Sequence, residues 1–179
     1  MAVIRKRTFT RDTWPTANGQ HVSVSELYTL ATANNLETDP INIKGLAKAL
    51  GLKIKPRILA EETSGHLEKI DNEWVVTVNL LHHPRRQRFT LAHEIAHYIL
   101  HRDRSDSFID GKFFRSDEKN PMEREADSFA AELLMPEAEF RNFVKSESST
   151  VEDIANHFEV SSLAVRIRAK NLGFKGHNV

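Results

Sequence analysis

Thr90-Leu91-Ala92-His93-Glu94-Ile95-Ala96-His97-Tyr98 is the stretch on which the reading of this chain turns. It contains His-Glu-x-x-His, and its residues sort by polarity once wound into a helix. At ~100° per residue, Leu91, Ala92, Ile95, Ala96 and Ile99 fill one side, while His93, Glu94, His97 and His101 share an arc of about 100° opposite. Residues four apart stand ~5–6 Å from one another on one helical face, so both imidazoles can reach one ion. Zinc accepts histidine nitrogens at ~2.0–2.1 Å, and the intervening Glu lies beside the open coordination position, where it can take a proton from water. His93 and His97 are therefore candidate zinc ligands, and Glu94 is the candidate general base. A plain polar surface helix is the alternative. It leaves unexplained a polar face built from three His and a Glu.

A catalytic zinc usually takes three protein ligands and leaves the fourth position to water, so a third ligand has to be found. His101 lies too far along a straight helix to join the same ion. It reads as a residue behind the ligands or as a cation near the helix C-terminus. The better source is Glu123-Arg124-Glu125-Ala126-Asp127. Glu123, Asp127, Ala130 and Leu134 form one stripe, next to Phe129 and Leu133, whereas Glu125 points about 200° away, toward solvent. Two carboxylates on an inward helical face need partners, because burying an unpaired charge is expensive. A single zinc ion for Glu123 and a ligand-histidine N–H for Asp127 would supply them. An oxyanion or substrate contact is still missing. His101, Tyr98 or a residue of the His82–Arg88 segment such as Arg88 could serve, and the sequence does not choose.

The rest of the chain bounds these readings. Its 179 residues are 40% hydrophobic and 28% charged, a balance suited to one folded domain or one and a half. There is no Cys, which excludes disulfides, thiol catalysis and Cys-type zinc sites. Twenty-five basic residues cancel 25 acidic ones, so nothing draws the whole chain to nucleic acid or anionic membrane. No apolar run approaches the ~18 residues of a membrane span, and no signal-peptide apolar region stands at the N-terminus. The expected location is the cytoplasm.

The patterning is that of an α+β chain. Ile4-Arg5-Lys6-Arg7 and the turns at Trp14-Pro15 and Asn18-Gly19 read as a solvated arm, followed by a weak docking helix over Val22 to Ala33. Ile43, Leu46, Ala47 and Leu50 predict a helix stopped at Gly51. Leu52 to Lys55 alternates like a strand, and His66 to Ile70 and Trp74 to Asn79 flank a tight turn at Asp71-Asn72. A small, mostly antiparallel sheet is expected here, packed on the His-Glu helix. Its Trp74–Asn79 strand is the expected edge for an extended substrate. Leu81 to Arg88 reads as a polar loop, with Thr90 capping a helix from about Leu91 to His101. Further helices are expected from Pro121 to Met135, Glu137 to Lys145, Val151 to Phe158 and Ser162 to Leu172, the last two tightly joined.

The motifs resemble a known family, the ImmA/IrrE-type metallo-endopeptidases. The matching stretches are Val78-Asn79, Arg86 through His97, Leu100-His101, Glu123 through Asp127, Phe129 through Pro136, and Ile154 through Ser161. The resemblance spans roughly residues 40 to 175. It implies a zincin-like fold with a gluzincin-type third ligand: His93, His97 and Glu123 as ligands, Glu94 as general base and Asp127 orienting a ligand. It implies a catalytic domain over residues 37–145 and a helix-turn-helix-like pair over 146–179; residues 1–36, read above as an arm and docking helix, match no part of it. It also implies zinc-dependent cleavage or inactivation of a partner transcriptional repressor, derepressing stress-response or mobile-element genes.

Two other functions compete. A DNA-binding regulator would use residues 151–172, but Glu152, Asp153 and Glu159 there offset Arg166, Arg168 and Lys170, where a nucleic-acid reader should carry a basic stripe. Direct DNA binding is not the expectation. A zinc sensor without turnover would need the same ligands as a peptidase, so sequence does not separate the two.

Overall fold

Glu73-Trp74-Val75-Val76-Thr77-Val78-Asn79 carries apolar or β-branched residues without polar alternation, the pattern of a strand covered on both faces. In the computed structural model this is β3 (Glu73–Asn79), buried from Trp74 through Asn79. The structure describes residues 22–111, 121–146 and 150–174; the basic arm and the turns expected before Val22 lie outside them. β3 sits inside a four-stranded sheet of order β1 (Lys53–Arg57), β3, β2 (Thr63–Ile70), β4 (Ser107–Gly111). β2 runs antiparallel to β3 and to β4, and β1 runs parallel to β3. The β2–β3 hairpin turns on Asp71 and Asn72 at φ 47° and 65°, the left-handed pair that a two-residue hairpin turn requires and that Asp and Asn tolerate.

The expected sheet is therefore present, with one correction. Trp74–Asn79 is not an edge, because β1 and β2 flank it on both sides. The edges are β1 and β4.

Residues paired across strands share a face, and the register aligns Leu67 with Val76 and Phe108, and Lys69 with Trp74. Helix α3 (Pro84–Leu100) lies on that face. The Trp74 ring meets Tyr98 edge-on at 5.8 Å, and Phe108 stacks on His97 at 4.8 Å. α3 begins at Pro84, not at Leu91 as expected. Pro suits a first helical position, and the His83 side chain caps the helix by accepting from the Arg85 backbone N–H at 3.2 Å. The polar Arg85-Arg86-Gln87-Arg88 run looks like a loop by composition, yet Arg and Gln are good helix formers.

α4 (Pro121–Leu134) packs along α3. The remaining helices are α1 (Val24–Ala33), α2 (Ile43–Ala49), α5 (Glu137–Ser146), α6 (Val151–His157) and α7 (Ser162–Asn171). One apolar core runs through them, from Leu27 past Ile95 and Leu133 to Ile154 and Val165. α7 is sewn to the end of α4: buried Arg168 donates from Nε to the Met135 carbonyl at 3.0 Å and pairs with Glu132. Among the described residues, no helix is long and apolar enough to cross a membrane.

Candidate metal centre

Helix periodicity places His93 and His97 one turn apart on α3, on the side away from Leu91 and Ile95, and both are buried. Their Nε2 atoms stand 2.9 Å apart. Glu123, in the first turn of α4, brings Oε2 to 3.2 Å from His93 Nε2 and Oε1 to 3.4 Å from His97 Nε2. One donor atom from each of His93, His97 and Glu123 falls within 4.8 Å of the others. Around a tetrahedral zinc with ligands at ~2.0–2.2 Å, donors stand about 3.3 Å apart. The three residues fit such an ion in spacing and in donor type.

The surroundings favour the ligating forms. Burial pushes the His97 imidazole down, ahead of the opposing pull of Glu123, so the neutral ring is favoured. Burial pushes the Glu123 carboxyl up, but the facing His93 and His97 rings outweigh it and hold the carboxyl far below its ordinary range. Asp127, one turn after Glu123, places Oδ1 3.1 Å from His93 Nδ1. As an acceptor it keeps the His93 proton on Nδ1 and leaves Nε2 bare. The expected stripe of Glu123 and Asp127 thus faces the histidines, with Ala130 and Leu134 buried further along.

Glu94 is fully buried between α3 and the sheet. Gly65 of β2 makes room there. A Cβ at Gly65 would lie 2.5 Å from the Thr77 carbonyl oxygen, 2.6 Å from Thr90 Cγ2 and 3.6 Å from Glu94 Oε1.

The three residues considered for oxyanion or substrate contact are placed elsewhere. His101, the C-cap of α3, is fully buried behind His97, with Nδ1 3.0 Å from His97 Nδ1. Tyr98 lies against Trp74, with the Arg102 guanidinium 4.6 Å over its ring. Arg88 points toward Glu159 in the α6–α7 link and lines a cavity of about 780 Å³ with Ile41, Ile54, Val78 and Leu91. Being two turns of helix from His93–His97 on the Leu91 side, it faces away from the cluster.

Sequence reasoning missed Glu125. It does not simply face solvent: its Oε2 lies 3.0 Å from His101 Nε2. A helical wheel gives the angle of a Cβ and not the reach of a three-carbon side chain, so the pattern carried no sign of this contact. The two other clustered histidines are structural. His83 caps α3, and His82 Nε2 lies 2.9 Å from the Glu61 carbonyl.

Comparison with known proteins fits this geometry. Among curated proteins there is no match. A solved structure described as a Mycobacterium tuberculosis transcriptional regulator shares the fold at TM-score 0.58 and 15% identity, over 87% of this chain and 48% of that one. The chain thus spans about half the length of that protein. The family model of the M78 peptidases, described as the IrrE N-terminal-like domain, matches residues 47–170, from α2 through both carboxylates of α4 into α7. This α+β chain, with its His-Glu helix laid across a small sheet, belongs to the IrrE N-terminal-like family of M78 peptidases.

Proposed function

We propose that the chain is a zinc-dependent endopeptidase that cleaves a protein partner, a helix-turn-helix repressor, in the cytoplasm. The observation that carries this reading is the meeting of two imidazole nitrogens and a carboxylate at one point, with a buried glutamate at the adjacent helical position. His93, His97 and Glu123 would hold one ion, and Asp127 would keep His93 in its ligating tautomer. Zinc bound there would supply a Lewis acid that polarises the scissile carbonyl and acidifies water. Glu94 accepts the proton of the attacking water on a carboxylate oxygen and passes it to the leaving amine. Its burial against Gly65 holds that carboxylate in one place.

An extended substrate pairs along β4, the edge strand whose Phe108 stacks on His97. Family membership supports the peptidase chemistry. The structural neighbour, a transcriptional regulator, supports a regulatory target over bulk digestion.

The test is direct. Purified chain is assayed for zinc and incubated with candidate helix-turn-helix repressors, and Glu94→Gln is run in parallel. The amide cannot take the proton but leaves both imidazoles in place, so this variant keeps zinc and loses cleavage. Undiminished cleavage by Glu94→Gln would sink the mechanism.

A further inference from the structure

His93 and His97 differ in what stands behind them. Asp127 reaches His93 directly, whereas behind His97 there is a second imidazole and, behind that, a carboxylate. We propose that His101 and Glu125 form a positioning relay that fixes the tautomer and ring orientation of His97. The proposal rests on the zinc reading above.

The protons follow from what each group can do. The Glu125 carboxylate, 58% exposed, is an acceptor, so His101 donates its Nε2–H across the 3.0 Å contact. A neutral imidazole has a single N–H, which leaves His101 Nδ1 bare. The 3.0 Å contact between the two Nδ1 atoms then requires His97 to donate, and His97 Nε2 is left with its lone pair toward Glu123 and His93. With the protons reversed, His97 would point an N–H into the cluster and could not ligate.

Packing holds the rings in this order. Phe108 stacks on His97 with an interplanar angle of 19° and lies 6.1 Å from the His101 ring. The His101 backbone N–H donates to the His97 carbonyl at 2.8 Å. The relay also explains why α4 carries two glutamates on different sides. Glu123 faces the Nε2 atoms, and Glu125 reaches round to the far end of the histidine row. A carboxylate placed directly behind His97 would be buried and costly, whereas routing through His101 leaves the charge at the surface.

The test uses the full chain loaded with zinc and a competing chelator to read affinity. His101→Phe keeps the ring but no nitrogen, and its zinc Kd should rise about 10–100-fold. His101→Asn, whose side-chain oxygen stands where Nδ1 was, should recover most of that loss. Glu125→Ala should weaken zinc about 3–10-fold, while Glu125→Gln, which keeps an acceptor oxygen, stays near wild type. Long-range proton–nitrogen correlation should show His97 protonated at Nδ1 and His101 at Nε2. A folded His101→Phe chain with wild-type affinity, or His101 protonated at Nδ1, overturns the relay alone. Should His101→Phe fail to fold, the contrast between Glu125→Ala and Glu125→Gln decides, and equal affinities overturn it. A wild-type chain that binds no zinc defeats the metal reading and the relay with it.

Discussion

Gly65 bears no chemistry, yet it sets where the proposed general base stands. With Thr90 and Glu94 of α3 pressed onto β2 at this point, the space normally filled by a Cβ is taken by the Thr77 carbonyl and the Thr90 methyl. The carbonyl belongs to the central strand and cannot swing aside. Gly65→Ala should therefore cost about 1–3 kcal/mol by overpacking, read as a lower denaturant midpoint at unchanged slope. It should also lower cleavage more than zinc affinity, because the three atoms nearest the added methyl belong to Thr77, Thr90 and Glu94 and to neither of the proposed ligand histidines. A variant as stable as wild type would show that the sheet gives way there after all. At this scale much of the candidate site was legible. His93, Glu94, His97, Glu123 and Asp127 are linked by periodicities of three and four, and the structure brings the four outer groups into contact. Contacts between side chains of different elements were not legible. Neither the turn of Arg88 toward Glu159 nor the grip of Glu125 on His101 leaves a trace in spacing.

Among the elements, the segments around β3 show where tertiary context overrules local pattern. Ser107-Phe108-Ile109-Asp110-Gly111 has two apolar residues among polar ones and gave no sign of a strand, yet it pairs with β2 across a bulge at Thr63/Gly65 and becomes the edge nearest the histidines. Trp74–Asn79 was legible as a strand because its β-branched run speaks for itself. Its central place was not, since that depends on β1 arriving on one side. At the end of this strand Asn79, fully buried, ties three segments together. Its Nδ2 donates to the Ala60 and Thr63 carbonyls at 3.1 and 2.8 Å, and its Oδ1 accepts from the Leu59 and Leu81 N–H groups at 3.3 and 3.0 Å. Those bonds hold the β1–β2 loop against the segment that leads into α3. Asn79→Leu keeps the branching at Cγ but strands several buried backbone groups, each worth about 1–3 kcal/mol when left unpaired. We expect a loss of about 3 kcal/mol or more in denaturant unfolding, with local opening of residues 58–63 visible by amide exchange. A loss under about 1 kcal/mol would mean that water replaces the side chain in full.

For the whole molecule, the cluster joins α3 to α4 across a stretch of chain that includes β4, and one core continues from there to α7. An ion bound by the folded state alone stabilises all of it together. At about 100 times its Kd, zinc adds about 2.7 kcal/mol, or roughly 5–10 °C in Tm for a chain of this size. Chelation should remove that increment in one cooperative step, and a Tm indifferent to chelator would separate the cluster from folding. The same view of the whole decides what the far end of the molecule contacts. A helix-turn-helix reader presents cations and hydrogen-bonding side chains from its second helix, and each phosphate it neutralises steepens the salt dependence. α7 instead turns Leu163 and Ile167 outward, 52% and 43% exposed, beside Arg166 and Lys170. Its third cation, Arg168, is spent inside the fold on Glu132 and the Met135 carbonyl. With zero net charge behind them, two outward cations offer little more than a weak, non-specific attraction. Gel-shift titration should therefore show at most weak binding at low salt, lost at moderate salt and indifferent to sequence. Arg166→Ala with Lys170→Ala should leave cleavage of the repressor within about twofold of wild type, since neither residue touches the metal cluster or its supports. Nanomolar, sequence-selective binding abolished by that pair would make α7 a DNA reader and favour a DNA-binding regulator over the proposed protease.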